Sequence, residues 1–123
     1  MKDRNENIVA TESKSFAVRC IRLYQYLTES NKEFVICKQL LRSGTSIGAN
    51  IREALRGQSK ADFGAKMNIA LKEASESEYW LELLAETGYI SGESYESIMN
   101  DCQRLIRLLT SIVKSTYKSI HTH

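Results

Sequence analysis

Apolar side chains recur at intervals of three and four along almost the whole chain, which is the period of an α-helix and not of a strand. The sequence contains no proline, so nothing in it forbids helix interiors. A first helix is expected from about Glu12 to Glu29, with Phe16, Cys20, Ile21, Leu23, Tyr24 and Leu27 on its apolar side. The stretch 30–33, Ser-Asn-Lys-Glu, breaks the pattern with residues suited to a turn and a cap. A second helix follows from about Phe34 to Arg56, striped by Cys37, Leu40, Leu41, Gly44, Ile47, Gly48, Ile51, Ala54 and Leu55. Gly57 is placed to end it, and Ser59 with Asp62 reads as a capping box opening the next helix.

The third helix, about Lys60 to Thr87, is the most regular. Phe63, Met67, Ala70, Ala74, Ser77, Leu81 and Leu84 alternate strictly by four and three, the seam of a helix packed at a shallow angle. Gly88 stops it, and Tyr89 and Ile90 are available to fold back over a Schellman turn. Ser91 can cap a fourth helix carrying Ile98, Cys102, Leu105, Leu109 and Ile112, widened by Ile106 and Val113. Connections this short force antiparallel neighbours. The expected architecture is therefore all-α, an antiparallel up-down-up-down four-helix bundle over residues 11–118. Flexible tails are expected at 1–10 and 119–123. A chain of 123 residues is one domain, able to bury roughly two-thirds of its unfolded surface.

Gly44 and Gly48 sit four apart in a polar, small-residue stretch and suggest a phosphate loop at first sight. Such a loop needs a preceding strand and a Gly-Lys-Ser/Thr ending, and neither is present. Placed on a helix, both glycines fall in the apolar stripe, where a neighbouring helix approaching too closely for a β-carbon explains them. The opposite side of the same helix is unusual. At about 100° per residue, Arg42, Ser46, Asn50 and Glu53 form a stripe away from the leucines, with Ser43 at its edge and Ala49 between. It reads either as an ordinary solvated face or as a contact surface where small residues let another subunit dock. Glu76 and Glu78 are candidate counter-charges for Arg42. Tyr79, Trp80 and Leu83 give the third helix more apolar girth than a lone bundle needs.

Composition narrows the chemistry. With 42% apolar and 26% charged residues, the chain is neither disordered nor membrane-spanning in character. The first residues lack the apolar core of a signal peptide, so the expected compartment is the cytoplasm. Cys20, Cys37 and Cys102 lie far apart among apolar neighbours and read as buried small hydrophobes. The only histidines are His121 and His123, an H-x-H pair in what reads as a frayed tail. With no helical histidine there is no bundle-type ribonuclease pattern, no Glu-x-x-His di-iron motif and no Ser-His or Cys-His nucleophile. No catalytic residue, metal site or cofactor is expected.

Net charge is only +2, but it is segregated. Eight acids and no base occur from Glu73 to Asp101, after which come Arg104, Arg107, Lys114 and Lys118 without an acid. Antiparallel folding turns this into a polarity along the bundle. Glu29, Glu33 and the Gly88 turn lie at one end; Arg52, Arg56, Lys60, Lys66, Lys114 and Lys118 lie at the other. A basic end is a footprint for the phosphate backbone of RNA or DNA. It is also what ordinary helix ends look like, since cations suit the end of the fourth helix. Only Tyr117 is near enough to stack on a base, which argues against sequence-specific readout.

The runs Ser15–Leu27, Gln39–Ala54 and Lys66–Ile90 together resemble the four-helix-bundle proteins of the 23S rRNA intervening-sequence family. The resemblance spans about residues 13–113. One signature is Arg42-Ser43-x-x-Ser46-Ile47-x-x-Asn50-Ile51-x-Glu53; a second is Ile69-Ala70 with Glu76-x-Glu78-Tyr79-x-Leu81. Glu73 departs from it, standing where many relatives carry serine. The resemblance implies a ring-like homopentamer with no established enzymatic activity, so the chain's first expected partner is itself. It also implies a relation to the accessory proteins of diversity-generating retroelements, pentamers thought to bind nucleic acid and a reverse transcriptase. Those proteins are typically much more basic than this chain.

Overall fold

The computed structural model describes residues 4–121. It comprises α1 (Arg4–Ser30), α2 (Ile36–Leu55), α3 (Lys60–Glu86) and α4 (Gly92–His121), with no strand among the described residues. Helices α1 and α3 each pack on α2 and α4, while the diagonal pairs make no close backbone approach. Contacts fix the directions. Glu12 meets Arg104 and Arg19 meets Asp101; Arg42 meets Glu73 and Glu53 meets Lys66. The backbone of Ala74 accepts from Cys102, while Gly64 lies against Thr116. In each case one helix advances as its neighbour recedes, so neighbours run antiparallel around the bundle.

The core draws on all four helices. Phe16, Leu27, Leu40, Ile47, Ile51, Met67, Leu81, Leu84, Leu105 and Leu109 are fully enclosed. Each such side chain contributes roughly 1.5–3 kcal/mol from burial before entropy is counted. Cys20, Cys37 and Cys102 are buried thiols. Gly44 and Gly48 face α1: a β-carbon on Gly44 would fall on the Cys20 thiol, and one on Gly48 would lie 3.3 Å from Ser13 Oγ. The small face of α2 is thus where α1 comes closest.

Helix ends follow local chemistry. Ser59 Oγ accepts from the Asp62 amide at 3.0 Å, opening α3. After α3, Gly88 adopts φ +83°, the Tyr89 amide bonds to Leu84 O at 2.9 Å and Gly88 to Ala85 O at 3.1 Å. This is a Schellman turn, and Ile90 is buried behind it. Gly57 directly follows the end of α2, as its position indicates, without the left-handed conformation of Gly88. A β-carbon there would lie 3.1 Å from the Ala54 carbonyl oxygen and 2.6 Å from the carboxylate of Asp62, an exposed side chain that can move aside.

Three expectations change. Helix α1 begins at Arg4, not near Glu12, and Val9 is wholly buried, so the expected tail 1–10 is helical from residue 4 onward. The apolar stripe continues through Ser13, whose hydroxyl donates to Ala10 O at 3.1 Å and so tolerates burial. At the other end α4 runs through Lys118 to His121; residues 1–3 and 122–123, His123 among them, lie outside the described residues. Ile21, expected in the core, is exposed. It is turned past Cys20 toward the outer flank of α1.

The α1–α2 connection is built around Glu33, a carboxylate only 7% exposed. It accepts from the amides of Val35, Ile36 and Cys37 at 3.0, 2.9 and 2.7 Å, satisfying the open donors at the start of α2. Burial alone would raise its pKa; the amide bonds, led by that of Cys37, outweigh it and hold the carboxyl below its ordinary 4.5.

Candidate functional site

The stripe singled out on α2 lies along its outer edge, next to α3. Arg42 donates to the Glu73 carboxylate at 3.0 Å and also to Glu76. Glu76 in turn accepts from Trp80 Nε1 at 3.0 Å, so one guanidinium, two carboxylates and an indole form a connected unit. The Glu73 carboxylate, helped by Glu76, pushes the Arg42 pKa higher still. Ser46 Oγ donates to Arg42 O at 2.7 Å, and Asn50 Nδ2 to Ser46 O at 2.9 Å. Glu53 meets Lys66 at 3.2 Å. The polar strip is therefore closed within the chain, and neither Arg42 nor Glu53 needs a neighbour for its charge.

Two residues expected in the strip are elsewhere. Ser43 has no exposure and shares a 2.8 Å hydrogen bond with Ser77 inside the α2–α3 seam, so it offers nothing to a second subunit. Glu78 points to the other side of α3 and accepts from Gln103 of α4 at 3.2 Å. The two-residue step from Glu76 to Glu78 turns the side chain through about 200°, which sends them to opposite neighbours. Glu73, absent from the expected set, takes the place of Glu78 beside Arg42. Ile69 stands in line with Glu73 and Glu76 on α3 and remains 42% exposed.

The expected basic set gathers where α2 ends, α3 begins and α4 finishes. Arg52, Arg56, Lys60, Lys114 and Lys118 are exposed. Lys60 Nζ donates to Ser119 Oγ at 2.9 Å, and Lys66 is held by Glu53. At the opposite end, burial raises the Tyr95 pKa and the nearby carboxylates of Glu82, Glu86 and Glu78 raise it further.

The groups that could do covalent chemistry are restrained. Desolvation pushes the Cys20 thiol up to about 12 against a small opposing effect of Arg19. Burial, then Glu33, pushes Cys37 up to about 12, and burial raises Cys102. No cluster of three or more His, Cys, Asp or Glu among the described residues is placed to hold a metal ion. No helix among the described residues is long and apolar enough to cross a membrane.

A model of the 23S rRNA-intervening sequence proteins matches residues 5–111, which takes in the α2 strip and its α3 partners. The chain belongs to this family. Its fold and sequence are also similar to a crystal structure of a protein of unknown function from the S23 ribosomal protein family of Bacteroides thetaiotaomicron. That similarity is 60% in identity with a TM-score of 0.87, covering 89% of this chain and 98% of that one. No curated protein matches the chain.

Proposed function

We propose that this family member is a non-enzymatic homo-oligomer, a ring-like homopentamer of up-down-up-down bundles, in which the outer face of α2 and α3 meets another copy. The observation that carries this reading is Ile69. A large apolar side chain is left exposed beside a polar strip whose hydrogen bonds are already closed. Covering such a strip costs less than covering free lysines and glutamates, because its charges keep their partners when water leaves. The ring and the count of five follow from the family resemblance. Protonated, buried thiols favour a role without nucleophilic chemistry.

Native mass spectrometry and sedimentation at micromolar concentration test the assembly. Arg42→Ala and Glu53→Ala are expected to weaken association at least tenfold while helicity stays unchanged. The subunit itself should lose under about 1 kcal/mol, because these ion pairs are solvent-exposed. A wild-type monomer at that concentration refutes the reading.

A second reading, nucleic-acid binding alongside a reverse transcriptase, is favoured by the gathering of Arg52, Arg56, Lys60, Lys114 and Lys118 at one end. Retention of single-stranded RNA or DNA should then fall steeply with salt and be abolished in R52E/R56E/K60E. Unchanged affinity in that variant removes the basic end from consideration.

A further inference from the structure

A groove of about 520 Å³ runs along the outside of the α1–α2 pair. Its walls are small: Ala10 and Ala17 on α1, Gly48 and Ala49 on α2. Lys14, Arg52 and Arg56 stand around it, and no acid lines it. None of these three cations takes part in an ion pair among the described residues. A groove with small walls and uncompensated positive charge calls for an apolar side chain flanked by carboxylates.

The chain carries that complement on its own adjacent face. Ile69 projects from α3 with the carboxylates of Glu53, Glu73 and Glu76 beside it, and with Arg42, Lys66 and the exposed Lys72 as the cations of the same face, three of each. The heights agree. Ser13 lies under Gly48, and Lys66 beside Glu53, which brings Ala10–Ala17, Gly48–Arg52 and Lys66–Glu73 to one level along the bundle. A parallel second copy therefore delivers Ile69 to the groove without axial shift.

The angle favours a closed ring over an open filament. The two faces share α2, so in a four-cornered bundle they look out about 90° apart. Two different patches at that angle join copies head to tail and close the chain of contacts. A ring of four needs about 90° between them and a ring of five about 108°. Faces on opposite sides would instead give an open filament.

We infer that the α1–α2 groove is the acceptor half of the subunit interface: it receives Ile69 of a second copy, and Lys14, Arg52 and Arg56 face that copy's Glu53 and Glu73. The inference rests on the oligomeric reading above and adds which surface the α2–α3 face docks into. Nucleobases are poorer occupants, because no aromatic side chain lines the groove.

The test is an A17C/I69C double variant treated with a short bismaleimide, with native mass spectrometry on the same sample. The three native cysteines are buried and do not compete. Expected is a covalent ladder up to the full ring on a denaturing gel. An intact ring without a ladder overturns the groove assignment and leaves the oligomeric reading standing; a monomer of the unsubstituted protein in the same measurement overturns both. Ala17→Trp, which fills the groove from its rim, should weaken association at least tenfold at unchanged helicity. A normally assembled ring of the tryptophan variant also refutes the assignment.

Discussion

Gly44→Ala tests the packing on which the α1–α2 pair depends. On an exposed helix this change stabilises by about 1 kcal/mol. Here the new methyl would fall on Cys20 Sγ, 3.1 Å from Cys20 Cβ and 3.5 Å from Phe16 Cε2, and both neighbours are fully buried. The thiol can rotate only about χ1 inside an enclosed core. Forcing one methyl into such a site costs about 1–3 kcal/mol. Set against the helix gain, the net is a loss of about 1 kcal/mol, a fall in Tm of roughly 4 °C for a chain of this size. Cys20→Ala removes the atom that the methyl strikes, so in that background Gly44→Ala should be neutral or stabilising. Urea unfolding of the four proteins at one fixed concentration gives the coupling energy, expected near 1–2 kcal/mol. If Gly44→Ala stabilises the wild type by about 1 kcal/mol, with no coupling to Cys20, then α1 does not lie on the glycine face and the bundle order is wrong.

Two further expectations concern the turn before α2. The folded-state pKa of Glu33 is depressed, so its stabilising contribution is full above the ordinary value of 4.5 and is lost as pH falls through the folded value. Glu33→Gln should cost about 1–2 kcal/mol at neutral pH, and its stability curve should converge with that of the wild type in acid. Curves that stay parallel through the acid range refute the cap. Lys32 adopts a left-handed φ of +54°, which a side chain disfavours. Lys32→Gly should therefore raise the urea midpoint by an amount equivalent to about 0.5–1 kcal/mol, and a lower midpoint would show that its side chain contributes more than its backbone costs.

What the sequence made legible depended on whether a residue's role was local. The seam Met67, Ala70, Ala74, Ser77, Leu81 and Leu84 is buried as its spacing indicates, and the Gly88 turn forms the bonds its residue order implies. These features are set within one helix and its end. Ser43 misled because serine reads as a surface residue, yet its hydroxyl can bond a carbonyl in its own helix and Ser77 across the seam, and so be enclosed. The choice of Glu73 over Glu78 beside Arg42 depends on the register of α2 against α3, which no single helix specifies. The groove escaped notice because it is made of missing side chains on two helices. Its α2 wall, Gly48 and Ala49, was visible as small residues, but the matching seven-residue spacing of Ala10 and Ala17 became legible only once α1 was known to begin at Arg4.

Arg52 and Arg56 link the two functional readings and also separate them. They belong to the basic end, and they also stand at the groove that the second copy would fill. If a neighbour's carboxylates cover them, the phosphate footprint of an assembled ring shrinks toward Lys60, Lys114 and Lys118, with Lys60 already bonded to Ser119. Each cation withdrawn lowers the salt dependence of nucleic-acid retention by nearly one counterion. Reversing both arginines then acts first on assembly, whereas reversing Lys114 and Lys118 leaves the ring intact and acts on retention alone. A ring that binds nucleic acid through all of these cations at once would need its subunits joined through some other pair of faces.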